Sequence, residues 1–436
     1  MSNNPDATGG GFSGRALLRN AASLYSLQAL NILVPAFAFP FIVRSVGVLR
    51  FGEYAFAVSI VQLAVFVTDF GFNLTATRRV SVAQQRSMNE VSKEFSVTLV
   101  LKGALMLVAS GCLAIAVASI SALRDHVWLY VALTPILVGE VLFPVWLLQG
   151  LQRMQYLPII SFLGRAVSLG LLVALVDGPE DLLLVAVTQS IPFVLNGFMA
   201  LWVARYRLGV RFAPIQSRET YREALSEARQ AFVSRLASQV YTRGALPLLG
   251  AMASPAAVGL FSIAQKIGAI VIAVIVQPLA QSIYPQLCLL WENSPSRVRA
   301  VRWKMLGLGL VGLVLALGTL NTLAGPVVHL ITGSANPEAV DLVHVYSGVI
   351  ALSALNSLLA TVVTAMRRFG DLSRAVVVGS IVFVASAVPL VALYDELGMA
   401  IASILVELTV GGVLHYMASV GFAEADNGQG QQGAGS

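Results

Sequence analysis

The sequence contains about twelve apolar stretches, each near twenty residues long, whose connectors alternate in charge. A helix that crosses a bilayer needs ~20 predominantly apolar residues, so each stretch has the length of one crossing. The predicted spans are 22–42, 53–75, 95–120, 127–148, 157–176, 182–204, 229–250, 257–283, 303–325, 341–365, 374–394 and 397–419. This pattern predicts an all-α polytopic membrane protein.

The basic residues fix the predicted orientation. Nineteen Arg and Lys residues fall in the tail and connectors on one side of the membrane, and three fall on the other. Because Arg and Lys accumulate in cytoplasmic loops, both termini are predicted to be cytoplasmic. The net charge of +6 has the same origin, so it does not indicate nucleic-acid binding.

Composition excludes a soluble fold. Hydrophobic residues make up 57% of the chain and charged residues only 11%, whereas a soluble domain carries roughly 25% charged residues. The two cysteines, Cys112 and Cys288, lie in or beside different spans and form neither a metal-binding nor a disulfide pattern. No metal and no cofactor are therefore expected.

The longest and most charged connector lies near the middle of the chain. It predicts two six-helix bundles, 22–204 and 229–419, a cytoplasmic linker at 205–228, a cytoplasmic tail at 1–21 and a disordered tail at 420–436. Residues 217–229 have the pattern of a surface amphipathic helix. Gly52 recurs as Gly259 and Pro40 as Pro247, at one offset of 207 residues, although chance similarity between apolar sequences remains an alternative. Parallel repeats of this kind hold their substrate between the halves, in a central cavity.

Charged residues inside the spans are costly and usually face a cavity or a partner. Basic residues outnumber acidic ones: Lys102, Arg165, Arg235, Arg243 and Lys266 compare with Asp69, Glu140 and Glu407. Some of the basic side chains could instead reach the interface, and Asp69 could pair with a buried Arg. The excess of positive charge favours an anionic substrate, and a planar guanidinium suits a diphosphate.

Polar residues recur at helical spacing in the first two spans. Gln28 and Asn31 align in span one, and Gln62, Asp69 and Asn73 share a face of span two. The candidate substrate-binding residues are therefore Arg165, Arg235, Arg243, Lys266, Gln28, Asn31, Gln62 and Asn73, with Asp69 as a candidate coupling-ion or charge-pairing site.

Several motifs resemble the bacterial O-antigen flippases, the Wzx-type polysaccharide transporters. The matching segments are residues 20–31 with Pro35, Pro40 and Gly47; Phe51–Tyr54; Gln62 and 68–78; 144–154; and 258–262 with Lys266, Pro278 and 284–285. They cover most of the chain, and the first eighty residues are the most specific. The resemblance gives no indication of which sugar is carried.

The resemblance implies the fold of the multidrug/oligosaccharidyl-lipid/polysaccharide exporter superfamily, with two six-helix bundles around a central cavity. It implies alternating access in the bacterial inner membrane, driven by a Na+ or H+ gradient or by the membrane potential. The implied substrate is an undecaprenyl-diphosphate-linked oligosaccharide, moved from the cytoplasmic to the periplasmic leaflet. The implied partners are a polysaccharide polymerase and a chain-length regulator.

Two other functions fit the sequence less well. A cation-coupled multidrug exporter of the same superfamily would suit an acidic cavity, which the intramembrane charges do not favour. A membrane polymerase or ligase would be expected to carry a sizeable outer loop, whereas the predicted outer connectors are about ten residues or shorter. The sequence also contains no Gly-rich nucleotide loop, zinc spacing or nucleophile elbow.

Overall fold

The computed structural model describes residues 14–213, 217–293 and 295–433, and this part of the chain is almost entirely helical. The parts of the predicted tails at 1–13 and 434–436 lie outside the described residues. The helices of the first half are α1 (Gly14–Asp69), α2 (Phe72–Gln84), α3 (Met88–Ser119), α4 (Ser121–Arg124), α5 (Val127–Leu133), α6 (Pro135–Leu142), α7 (Val145–Gly150), α8 (Tyr156–Leu175) and α9 (Leu182–Tyr206). A short 3-10 helix, Pro179–Asp181, precedes α9.

The second half of the chain is also helical. Its helices are α10 (Arg218–Arg243), α11 (Ala245–Met252), α12 (Pro255–Val271), α13 (Gln277–Asn293), α14 (Pro295–Thr332), α15 (Pro337–Ala365) and α16 (Phe369–Gly433). A π-helical turn, Ile272–Val276, joins α12 to α13. Side-chain caps begin two of these helices: the Ser254 hydroxyl accepts from Ala257 N at 3.2 Å, and Asn336 Oδ1 accepts from Ala339 N at 2.9 Å.

The prediction of an all-helical membrane protein is confirmed. Eight helical segments of the described chain are long and apolar enough to cross a membrane. Two of them, Leu33–Gln84 and Phe369–Ala425, cover two predicted spans each and are interrupted at Gly47 (φ 78°) and Asp395 (φ 47°). Helices α10, α11 and α14 cover the remaining predicted spans, seven and nine. The exact count of twelve crossings stays a prediction.

Three predicted boundaries differ from the helix bounds. α1 is already helical at Gly14, the first described residue, so it extends into the predicted tail. α10 runs from the predicted linker into span seven without a break. α16 continues past residue 420, where the buried Phe422 packs edge-on against Trp291, with their ring centroids 5.6 Å apart.

Two junctions join the halves. At the Gly52–Gly259 junction, α1 meets the start of α12 so closely that a Cβ added to Gly52 would lie 1.8 Å from the Pro255 carbonyl oxygen. At the Phe70–Phe232 junction, the Phe232 ring of α10 stacks on Phe70 at 4.6 Å and on Phe66 at 4.8 Å. Gly71 has φ +85° there, and a Cβ on it would lie 2.9 Å from the Ala228 carbonyl oxygen. Phe51, next to the first junction, lines the first of the cavities described next.

Candidate substrate cavities

The first cavity has a volume of about 240 Å³ and lies between α1 and helices α10, α11 and α12. Arg243 and Lys266 supply its positive charges, and Gln62 and Gln265 supply amides. The Arg243 Nη1 donates to Gln62 Oε1 at 3.1 Å, which joins the two halves of the chain. Two predicted cationic residues and one predicted amide therefore line one cavity.

The second cavity, of about 340 Å³, shares Lys266 with the first. The Lys266 ammonium lies 5.5 Å from the centroid of the Phe39 ring, in cation–π geometry. On the opposite wall, Arg165 Nη1 donates to the Asn31 carbonyl oxygen and, at 3.3 Å, to Asn31 Oδ1. Asn31 in turn donates through Nδ2 to the Pro158 carbonyl oxygen at 2.9 Å, so α1 holds the Arg165 side chain in place.

The third cavity, of about 330 Å³, lies within the first half of the chain, between α1, α6, α8 and α9. It shares Arg165 and Pro35 with the second cavity. Glu140, Gln189 and Asn196 are among its polar lining residues. The three cavities thus follow one another through two shared cations, Lys266 and then Arg165.

A cluster of four charged residues lies beside these cavities. Lys102 is fully buried in α3, with its Nζ 2.9 Å from Glu140 Oε1 and 3.8 Å from Asp69 Oδ1. Arg235 of α10 pairs with the same aspartate, at 3.3 Å between Nη1 and Oδ2. Two cations and two carboxylates therefore form one linked cluster across both halves of the chain.

The predicted candidates separate into these sites. Gln62, Arg243 and Lys266 line the first cavity, and Asn31, Arg165 and Lys266 line the second. Asp69 and Arg235 belong to the charged cluster instead. Asn73 lies beside Asp69, to which its backbone N–H donates at 3.2 Å, and lines none of the three cavities. The side chain of Gln28 lies outside the part that can be described.

The sequence identifies Lys102 and Glu140 as intramembrane charges but does not place them among the candidate binding residues. A lone charge in an apolar span is costly, which indicates that each of these side chains has a partner or faces a cavity. Another buried carboxylate, Glu407 of α16, accepts from Asn356 Nδ2 at 2.6 Å and from the Ser353 hydroxyl. Among the described residues, no group of three or more His, Cys, Asp and Glu side chains could hold a metal ion.

Comparison with solved structures places the fold among membrane transporters. A structure described as the lipid II flippase MurJ in an inward closed conformation aligns with a TM-score of 0.75, covering 92% of this chain and 89% of that one, at 11% identity. An inward-facing multidrug-resistance MATE family transporter of the MOP superfamily aligns with a TM-score of 0.67 and 14% identity, covering 89% and 95%.

The sequence comparisons give the family. Residues 17–291 match the family described as polysaccharide biosynthesis protein, and the chain belongs to that family. A protein of Escherichia coli (strain K12) named "Putative O-antigen transporter" is 26% identical over 412 residues, which cover 92% of this chain and 96% of the relative. A protein of the same name from Shigella dysenteriae is also 26% identical, over 90% of this chain and 97% of its own length.

Proposed function

We propose that this protein is a flippase for a lipid-linked oligosaccharide used to build a surface polysaccharide. The family, the names of the two relatives and the flippase fold support transport in polysaccharide biosynthesis. The enzyme alternative is not retained, because the relatives and the fold neighbours are transporters. The substrate would be an undecaprenyl-diphosphate-linked unit of O-antigen, capsule or exopolysaccharide, moved from the cytoplasmic to the periplasmic leaflet of the inner membrane.

The observation that carries this proposal is the charge along the cavities. Arg243, Lys266 and Arg165 line the first and second cavities, and the only carboxylate lining any of the three, Glu140, is paired with Lys102. This comparison covers the described residues. A guanidinium can donate two parallel hydrogen bonds to phosphate oxygens, and Lys266 would add a point charge. A diphosphate passing these cations would have its charge neutralised along the path.

Alternating access would move the substrate past these groups. The Gly52–Gly259 and Phe70–Phe232 junctions would part in turn, each exposing the cavities to one side of the membrane. Asp69, bound to cations of both halves, is the candidate site where a Na+ or H+ gradient could act, through competition for its carboxylate. A polysaccharide polymerase and a chain-length regulator would then use the flipped unit.

A multidrug exporter is the second candidate, favoured by the MATE fold alignment. Exporters of cationic drugs would need carboxylates exposed to the cavity, whereas here the cavity charges are mainly basic. The resistance profile of a deletion strain separates the two functions. Lipid-linked transport predicts loss of surface polysaccharide with an unchanged drug profile, and drug export predicts the reverse.

The direct test is the double variant Arg243→Gln/Lys266→Gln. Each charged contact is worth about 1.5–3 kcal/mol, so we expect surface polysaccharide to fall by at least about tenfold at normal protein abundance. Arg124→Gln is the matched control, because that guanidinium is exposed and donates to the Ala118 carbonyl oxygen of its own hairpin. Wild-type polysaccharide in a normally abundant double variant would contradict the diphosphate role.

A further inference from the structure

The third cavity differs from the other two in its lining. Aromatic rings, Phe143 and Phe193, stand with amides and hydroxyls around a space of about 330 Å³, within the range of ligand pockets. Arg165 lines both this cavity and the second cavity, and so connects the two. No residue of the second half of the chain lines it among the described residues.

The polar groups of this cavity are suited to hydroxyl groups. Glu140 binds Lys102 through Oε1, and its side chain keeps 23% of its surface exposed, so a carboxylate oxygen can accept from a ligand. Asn196 lines the cavity and is 9% exposed, but its Oδ1 is buried against Gly164 and has no hydrogen-bond partner among the described residues. A ligand hydroxyl would therefore meet this amide through Nδ2, which can donate to it. Gln189 donates through Nε2 to the Ser168 hydroxyl at 3.1 Å, which leaves its carbonyl oxygen as a further acceptor.

Acceptors beside aromatic rings match the chemistry of a sugar. Hydroxyl groups donate to carboxylate and amide oxygens, while the C–H faces of a pyranose ring pack on aromatic side chains. Glu140 is paired with Lys102, and Arg165 would be engaged by the diphosphate, so neither an acidic sugar nor a cation would find an uncompensated partner here. The cavity is thus suited to an uncharged, hydroxyl-rich ring.

The position of the third cavity next to Arg165 determines which sugar of the glycan could enter it. Arg165 stands between the second and third cavities, so a diphosphate held by Arg165 and Lys266 would leave only the first sugar within reach of the third cavity. In the predicted spans, Glu140, Arg165 and Asn196 each lie eight residues from the cytoplasmic end, about 12 Å along a helix. A substrate that enters from the cytoplasmic leaflet would reach these residues before it crossed the middle of the membrane.

We propose that the third cavity is a subsite for the diphosphate-linked sugar of the substrate, and that it accepts an uncharged sugar. The inference rests on the proposed function and adds a selectivity that the cationic cavities cannot provide. Every undecaprenyl-diphosphate-linked glycan carries the same diphosphate, so recognition of that group does not distinguish one glycan from another. Recognition of the first sugar would let the protein reject the bare lipid diphosphate and carriers that bear an acidic sugar.

The test compares binding of three lipids to purified full-length protein in nanodiscs. The lipids are undecaprenyl diphosphate without sugar, with one neutral N-acetylhexosamine and with one uronic acid. We expect the neutral glycolipid to bind about tenfold tighter than the other two, the equivalent of one or two additional hydrogen bonds. Asn196→Leu and Gln189→Leu should remove this preference and leave affinity for the bare diphosphate unchanged.

Two further variants make the result specific. Gly164→Ala keeps every polar group but places a Cβ 2.2 Å from Asn196 Oδ1, so the amide must move, and the preference should fall again. Thr409→Leu is the control, because its exposed hydroxyl donates to Leu405 O of its own helix. Thermal unfolding of each variant checks that it is folded.

The outcomes separate the two proposals. Equal binding of all three lipids to the wild type, or a preference that survives in Asn196→Leu, Gln189→Leu and Gly164→Ala, would overturn the sugar subsite while leaving the diphosphate role intact. Failure of every lipid to bind would overturn the proposed function and this inference with it. Loss of affinity for the bare diphosphate in Arg165→Gln but not in Asn196→Leu would support both.

Discussion

At the residue scale, Lys102 is a charged side chain that is completely buried. Its side chain is 1% exposed, and its ammonium lies between two carboxylates from different helices. Burying a charge is expensive unless opposite charges and hydrogen bonds replace water. Asp69 and Glu140 therefore make this lysine tolerable, and Lys102 in turn keeps their charges compensated.

Removing this ammonium should be costly. Lys102→Met would leave two carboxylates poorly compensated, and breaking a buried pair costs about 3–5 kcal/mol. We expect a clear drop in the thermal unfolding temperature in detergent and low abundance in the membrane. In the control Lys93→Met, the lost partner Glu90 is exposed, so the cost should be about 1 kcal/mol or less. Equal effects of the two substitutions would contradict the buried cluster.

The neutral combination tests the same cluster from the opposite direction. When Asp69→Asn and Glu140→Gln are added to Lys102→Met, much of the stability lost in Lys102→Met should return, because no carboxylate then remains uncompensated. The measurement is a double-mutant cycle by thermal unfolding. Simple addition of the separate losses would mean that the three side chains act independently.

The sequence could predict which residues carry the polar chemistry but not how they pair. Helical spacing placed Gln62 and Asp69 on one face, and both contact arginines of α10, Arg243 and Arg235. The intervals of seven and eight residues rise about 10–12 Å, so the two helices match along their length. Which helix would face span two depends on tertiary packing, which spacing within one helix cannot reveal.

At the element scale, the Gly52–Gly259 junction gives the weak internal repeat a structural meaning. These two glycines are equivalent at the offset of 207 residues, and the Gly52 Cβ position lies 2.8 Å from Gly259 N. Residues related by a pseudo-twofold axis can touch each other only close to that axis. The contact therefore supports a repeat axis that passes between α1 and α12.

A methyl group should disrupt this junction. In Gly52→Ala the new Cβ meets backbone rather than a flexible side chain, and overpacking of this kind costs about 1–3 kcal/mol. We expect reduced surface polysaccharide and a lower unfolding temperature. Gly103→Ala is the matched control, since nothing lies within 4 Å of its Cβ position and alanine favours a helix. Normal function of both variants would contradict a junction closed by direct backbone contact.

The Phe70–Phe232 junction can be tested by cross-linking. In a background with Cys112 and Cys288 replaced by serine, a short bis-methanethiosulfonate reagent should link Phe70→Cys to Phe232→Cys, because the native side chains meet there with ring centroids 4.6 Å apart. The link should stop transport by holding the two halves together, and a reductant should cleave it and restore transport. Transport that continues in the fully cross-linked protein would show that this junction need not open.

At the scale of the whole molecule, hydropathy and charge bias were sufficient to predict an all-helical membrane protein. A bilayer leaves few ways to satisfy backbone polar groups, so apolar length translates directly into helices. Helix ends do not coincide with the predicted span boundaries, because residues outside the apolar core continue a helix when nothing breaks it, as in α10 and α16. The three successive cavities could not be predicted, since they form between helices distant in sequence.

Transport of a lipid-linked glycan is the central claim, and the location of that lipid in the membrane tests it most directly. The measurement is the fraction of lipid-linked oligosaccharide accessible to a glycan label added from the periplasmic side, in cells with and without the gene. We predict accumulation on the cytoplasmic leaflet in the deletion strain, and restoration by the wild-type chain but not by Arg243→Gln/Lys266→Gln. An unchanged distribution between the leaflets in the deletion strain would contradict the flippase function.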